Sequence, residues 1–311
     1  MMFKRWLMAA AAGPWQSGSW AALLAMLAVV STAAPVMLLS PVLFVASGGV
    51  VALTALRQEL GSLWRALVIA AIVLLVAGYV VGIGGSLVAV VFAVFWAPVF
   101  IAARGLRRGG FSRGVQVVVL LAVVLLLLGH QSGFQPTTFL DEYLETIKQQ
   151  VAVGVDAETN IAKLAQLFGW LERYFWGWIS ASFGVLWMMS LLLGRYWHAM
   201  LDNPGAFARE FEALRLGLMP VLIALVVAVA GVLGGSVLAW EVMALVLFGV
   251  FWQGFACLQA IFRARNVNRV VWIAFYCLLI IFALQVALVL VLIGLLDNLF
   301  DFRTRLITDG G

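Results

Sequence analysis

Very few residues of this 311-residue chain are placed to do chemistry. Of its 14 acidic residues only Glu241 falls inside a long apolar run; the others sit in connections or tails. A charged group at membrane depth is costly and is a functional candidate by default. A 3.6-residue period places Glu241, Leu245, Phe248, Trp252 and Gln259 on one helical stripe. A protonatable carboxyl on that stripe could take up a cation, a proton or a polar substrate group. The competing structural reading is an interfacial Glu that reaches the outer headgroups beside an anchoring Trp240. Gln253 and Gln285 are uncharged polar groups at similar depth, as are Ser180, Ser182 and Ser190. Groups of this kind often bond to a neighbouring helix, each worth about 0.6 kcal/mol. Glu241, Gln253, Gln285 and Trp252 therefore form the candidate intramembrane polar site. A closed polar pocket around Glu241, Gln253 and Gln285 would favour transport, whereas their pointing to lipid or into tightly packed helix contacts would sink it.

Other chemistry has little to work with. The chain has no Gly-rich phosphate loop ending in Gly-Lys-Ser/Thr, no His-Glu-x-x-His and no Gly-x-Ser-x-Gly elbow. Its two histidines, His130 and His198, are expected on opposite sides of a membrane, and Cys257 and Cys277 lie on different apolar stretches as small hydrophobes. The sequence thus points to no enzyme, no catalytic or metal residues and no cofactor, and any transport would be driven by an ion gradient or a partner subunit.

The elements that must position these groups are helices in a bilayer. Apolar residues make up 65% of the chain and charged ones 11%, with a mean hydropathy of +1.11. A soluble domain is about half apolar and about a quarter charged, so much of this surface must face lipid. Apolar runs near 20 residues without alternation give an all-α polytopic bundle rather than a barrel. Nine spans are expected: 19–36, 39–56, 66–82, 86–103, 114–129, 174–194, 217–233, 236–261 and 270–295. Eight would remain if the first, with small residues at 31–34, were a cleaved signal peptide.

Direction follows from the basic residues. Of 19 Lys and Arg, 14 fall on alternate connections: Lys4 and Arg5; Arg57 and Arg65; Arg104, Arg107, Arg108 and Arg113; Arg195, Arg209 and Arg215; Arg263, Arg265 and Arg269. The positive-inside rule assigns these to the cytoplasm of a bacterial inner membrane, with the N-terminus inside. Arg303 and Arg305 run against an outside C-terminus. The basic balance of +5 thus reflects topology and implies no nucleic-acid partner.

Three parts result: membrane helices over 1–129, an external amphipathic helical insert over 130–173, and membrane helices with a tail over 174–311. In the insert, Thr138 and Asp156 are expected to cap two helices. Phe139, Leu140, Tyr143, Leu144, Ile147 and Val151 recur at helical spacing on the first, and Ile161, Leu164, Phe168 and Leu171 on the second. The insert either lies on the bilayer surface or forms a lid or docking site. A shift of 150 residues superposes Arg65 on Arg215 and Gly84-Gly85-Ser86 on Gly234-Gly235-Ser236, the mark of a possible duplicated half.

The connection Arg195–Gly217 is the most distinctive segment. Asn203-Pro204-Gly205 makes a turn, and Phe207 and Phe211 follow on a short helix, a candidate partner-docking element or a structural elbow. This segment, with Gly294-Leu-Leu-Asp297 and Phe302-Arg303, resembles the YybS-like family of bacterial membrane proteins, a domain of unknown function often encoded near ribosomal protein genes. The resemblance implies a distant likeness to the substrate-binding (S) components of energy-coupling-factor vitamin transporters, which bind a small ligand and rely on a separate ATPase module. S components have six spans and dock their partner through small residues on the first; Ala21-xxx-Ala25 is the corresponding stripe here. Two functions are expected: a transporter-like permease or substrate-binding membrane component for a small, partly apolar molecule, or a non-transporting scaffold or assembly factor. The partners implied are the lipid bilayer and other membrane or ATPase subunits.

Overall fold

Four of the seven prolines open helices, where a missing N–H costs nothing. A computed structural model describes residues 2–31, 39–81, 85–151 and 157–300, and every regular element among them is helical. In order these are α1 (Met2–Ala10), α2 (Pro14–Val30), α3 (Ser40–Arg57), α4 (Leu60–Val81), α5 (Gly85–Val90), a π-helical stretch (Val91–Trp96) and α6 (Ala97–Gln131). Then come α7 (Pro136–Val151), α8 (Ala157–Arg173), α9 (Phe175–Asp202), α10 (Ala206–Glu212), α11 (Met219–Gly234), α12 (Val237–Ala264), α13 (Arg269–Ile281) and α14 (Ala283–Phe300).

Five of these stretches are long and apolar enough to cross a membrane: Ser40–Arg57, Val88–Gln131, Phe175–Asp202, Val237–Ala264 and Ala283–Phe300. Shorter apolar helices occur at Trp64–Val76, Met219–Gly234 and Arg269–Ile281. The all-α, membrane-type fold therefore stands. Two expected spans, 86–103 and 114–129, share one of the long stretches, which is not a single rod. Gly109 and Gly110 leave helical geometry, Gly110 at φ 66°, and a Cβ on Gly105 would lie 3.0 Å from Val117. Residues 12 apart meet in this way only if α6 doubles back as a hairpin. The expected span 270–295 is instead two helices, bent apart at Phe282 (φ −115°, ψ 45°). The end of the first expected span, with the 32–34 part of the cleavage region, lies outside the described residues, as do Asp156 and Gly84. The 150-residue shift does not carry over to element boundaries: Arg65 is inside α4, whereas Arg215 precedes α11.

The interior is built from small residues. Gly48 of α3 approaches Ser190 of α9 so closely that a Cβ would sit 2.4 Å from its Oγ, and a Cβ on Gly194 would sit 2.5 Å from Ala52. Backbones that close gain dispersion contacts that lipid cannot supply. Ala21 and Ala25, the stripe matched to partner docking, are 2% and 0% exposed, and α2 packs through this face on α3 and α4. That stripe is consumed within the chain. Farther along, Gly254 and Gly294 bring α12 and α14 together.

Pro98 explains the π-helical turn before it. Its missing N–H leaves the carbonyl four residues back, Val94, without the usual helical donor. The Trp187 indole donates to that carbonyl at 3.0 Å, pinning α9 to the distorted turn.

Candidate functional site

The connection between α10 and α11 is the longest irregular stretch among the described residues, and its backbone groups must find partners there. Side chains from two helices supply them. The Arg215 N–H donates to Ser112 Oγ at 2.9 Å, and the Leu216 N–H donates to Gln253 Oε1 at 2.9 Å. Gln116 Nε2 donates to the Leu216 carbonyl at 3.3 Å. Leu214 and Leu216 are buried, so the elbow is a plug wedged between α6 and α12. Gln253 is oriented in turn by α14: its Nε2 donates to Asp297 Oδ2 at 3.0 Å and to Asn298 Oδ1 at 2.9 Å. The elbow and the end of α14 thus meet through Gln253. Asp297 is 5% exposed within α14 and not in a tail.

Glu241 lies at the opposite end, in the second turn of α12, with its side chain turned inward. His130 Nε2 is 2.6 Å from its Oε2, and the ring donates because a carboxylate can only accept. Its Oε1 accepts the Gly177 N–H at 2.8 Å, in the first turn of α9, where a carboxylate also meets the positive end of the helix dipole. Gly177 is required for this approach, since a Cβ there would lie 2.8 Å from Glu241 Cγ. One carboxylate therefore latches α6, α9 and α12. The exposed side of His130 borders a depression of about 330 Å³ with Glu172, Arg173 and Trp176. In the adjoining insert, Tyr143 of α7 stacks on Phe168 of α8 at 6.2 Å.

The sequence-nominated polar residues are thus not gathered into one pocket. Glu241 and Gln253 serve separate contacts at different levels of α12, and Gln285 is exposed on α14. Trp252 is buried among Phe248, Phe251 and Phe255, and its indole N–H has no hydrogen-bond partner among the described residues. In the elbow, Asn203, Pro204 and Gly205 are exposed. Phe207 and Phe211 instead turn inward onto Phe111 at 5.6 and 5.5 Å, and Phe211 meets Phe255. Among the described residues no three His, Cys, Asp or Glu side chains form a group that could hold a metal ion.

One cleft is apolar on nearly all sides. It measures about 480 Å³ and opens between α6, α11 and α12. Val119, Leu120 and Val123 form one wall; Met219 and Ile223 face Val242 and Val246 on the others. Its floor is the elbow itself, where Gln116 meets Leu216 beside Gly249. Only Ala224 and Gly231 of α11 are buried, so this helix stands off the bundle and leaves the cleft open sideways.

A charged network lies at the elbow's end of the molecule. Arg195 forms a two-pronged pair with Glu210, Nε to Oε2 at 2.8 Å, and its Nη1 donates to His198 Nδ1 at 3.0 Å. Arg57 pairs with Asp202 at 3.1 Å, and Arg263 with Glu212 at 2.9 Å.

Sequence reasoning missed His130 as the partner of Glu241, Ser112 and Gln116 as elbow clamps, and Asp297 as a buried group. Only Asp297 carried a local signal, standing three residues after Gly294 at the end of an apolar run.

Long apolar helices and small-residue contacts place the chain in the class of all-α proteins built to cross a bilayer. Comparison with protein-family models, curated proteins and solved structures finds no match in any of the three.

Proposed function

We propose that this chain is a membrane-embedded binding component for a small, largely apolar molecule that enters sideways from the bilayer. The carrying observation is the cleft between α6, α11 and α12, apolar on its walls and floored by the clamped elbow. Pockets of a few hundred Å³ with apolar walls and few polar groups are typical of small-molecule sites. The polar set of Glu241, Gln253 and Gln285 has no part in this site. By the positive-inside rule the elbow's end faces the cytoplasm of a bacterial plasma membrane, with the N-terminus on the same side. The reading agrees with the resemblance to the YybS-like family and, more distantly, to S components. The chain carries no phosphate loop, so a transport cycle would draw on an ion gradient or a partner ATPase.

Native mass spectrometry of the protein released from nanodiscs tests this. The wild type is expected to retain a small molecule, and Leu120→Trp with Ile223→Trp, which fill the cleft from positions 61% and 47% exposed, are expected to lose it. Retention unchanged by the tryptophans would sink the proposal.

The second reading is a scaffold or assembly factor. It is favoured by the way Glu241 and Gln253 are used up in helix contacts while the Asn203–Gly205 turn stays exposed. A co-purified protein lost on altering that turn, without any retained small molecule, would support it instead.

A further inference from the structure

The two helices of the insert, α7 and α8, pack on each other through one face of α8. Phe168 lies on that face against Tyr143, with Ile161 and Leu164 beside it at helical spacing. The apolar surface of α8 is wider than this. Leu167, Trp170 and Leu171 occupy the adjoining face, where Leu167 and Trp170 are 59% and 62% exposed. Glu172, the one acid between residues 161 and 173, is on the far side of the helix and lines the depression beside His130. The uncovered face instead carries Lys163, four residues before Leu167.

That face runs on into α9. The Tyr174 N–H donates to the Trp170 carbonyl at 3.1 Å and the Trp178 N–H to the Tyr174 carbonyl at 2.9 Å, so the helical repeat carries across the junction. Trp178, Val185, Met189 and Tyr196 are exposed on one stripe of α9, a helix long and apolar enough to cross a membrane. Counting back from Trp178 in steps of four, four and three reaches Tyr174, Trp170 and Leu167, so the two stripes are one. At 1.5 Å per residue Tyr174 and Tyr196 stand about 33 Å apart, close to the thickness of a hydrocarbon core, and Trp170 is about 6 Å beyond, at headgroup depth. We infer that the uncovered face of α8 is a lipid-contact surface, with Leu167, Trp170 and Leu171 seated among phospholipid headgroups on the insert's side of the bilayer. Aromatic rings are favoured at that depth, and Lys163 has the reach and the charge to meet the phosphates. The seat holds the hairpin at the membrane edge and leaves it no freedom to act as a lid. It is separate from the cleft and does not depend on what the cleft binds.

The test uses the full chain in phospholipid nanodiscs holding a single copy, with Cys277→Ser removing the exposed thiol while Cys257 stays buried. A nitroxide is attached in turn at Trp178→Cys, Leu171→Cys and Leu167→Cys on the stripe, and at Ala162→Cys and Ala165→Cys on the far side. All five positions are exposed, so the label displaces no packed side chain. Collisions with oxygen, which concentrates in lipid, are compared with collisions with a water-soluble nickel chelate. The oxygen-to-nickel ratio is expected to be highest for the Trp178→Cys label. The Leu171→Cys and Leu167→Cys labels should give ratios severalfold above those of the two alanine positions. Equal ratios at the four α8 positions would overturn the inference. Poor access of both reagents to the Leu167→Cys and Leu171→Cys labels would mean that the chain itself covers the face, and would overturn it too. Water access there that disappears in discs holding two copies would assign the face to a second copy of the chain instead.

Discussion

The latch at Glu241 and the clamp at Gln253 both reach out from α12 to neighbouring elements, but they solve different problems. Glu241 holds whole helices: its two oxygens tie His130 at the end of α6 and the first turn of α9 to α12. Gln253 holds irregular backbone, and Asp297 only fixes which way the carboxamide points. The latch faces a depression at the insert's end; the clamp is buried beneath an apolar cleft. A group that organises non-helical backbone cannot be replaced by tighter packing, because the freed N–H has nowhere else to bond. The clamp should therefore be the less forgiving of the two.

Gln253→Leu tests that ranking most severely. It leaves the Leu216 N–H without its acceptor and takes a hydrogen bond from the buried Asp297, so the loss should be about 3 kcal/mol or more. Reversible unfolding in mixed detergent would measure it. Glu241→Gln keeps an oxygen for the Gly177 N–H and exchanges a charged acceptor for a neutral one, a loss of about 1 kcal/mol. If Glu241→Gln proved the worse of the two, the ranking would be reversed. Gly177→Ala should fall between them, at about 1–3 kcal/mol, since its methyl displaces Glu241 in a packed interface.

That comparison also shows what could be read from the sequence. Apolar run length located the long helices and the arginines grouped their ends, because both are local properties of the chain. Glu241 stood out for the same reason. Its partner did not: His130 lies 111 residues away, and nothing local marks a histidine at a helix end as the mate of a particular carboxylate. Phe207 and Phe211 resembled a docking surface because an amphipathic turn has the same spacing whether its apolar face meets a partner or, as here, Phe111. The hairpin in α6 was legible in outline from the basic connection between the spans expected at 86–103 and 114–129, whereas the break at Phe282 has no proline or glycine to announce it.

A smaller effect concerns Pro98 and Trp187, between the two ends. Trp187→Phe removes the donor to the Val94 carbonyl and should cost about 1 kcal/mol. Pro98→Ala restores a backbone N–H that can reach the same carbonyl. The double variant should then be less destabilised than the sum of the singles, and strict additivity would refute the link between the proline and the indole.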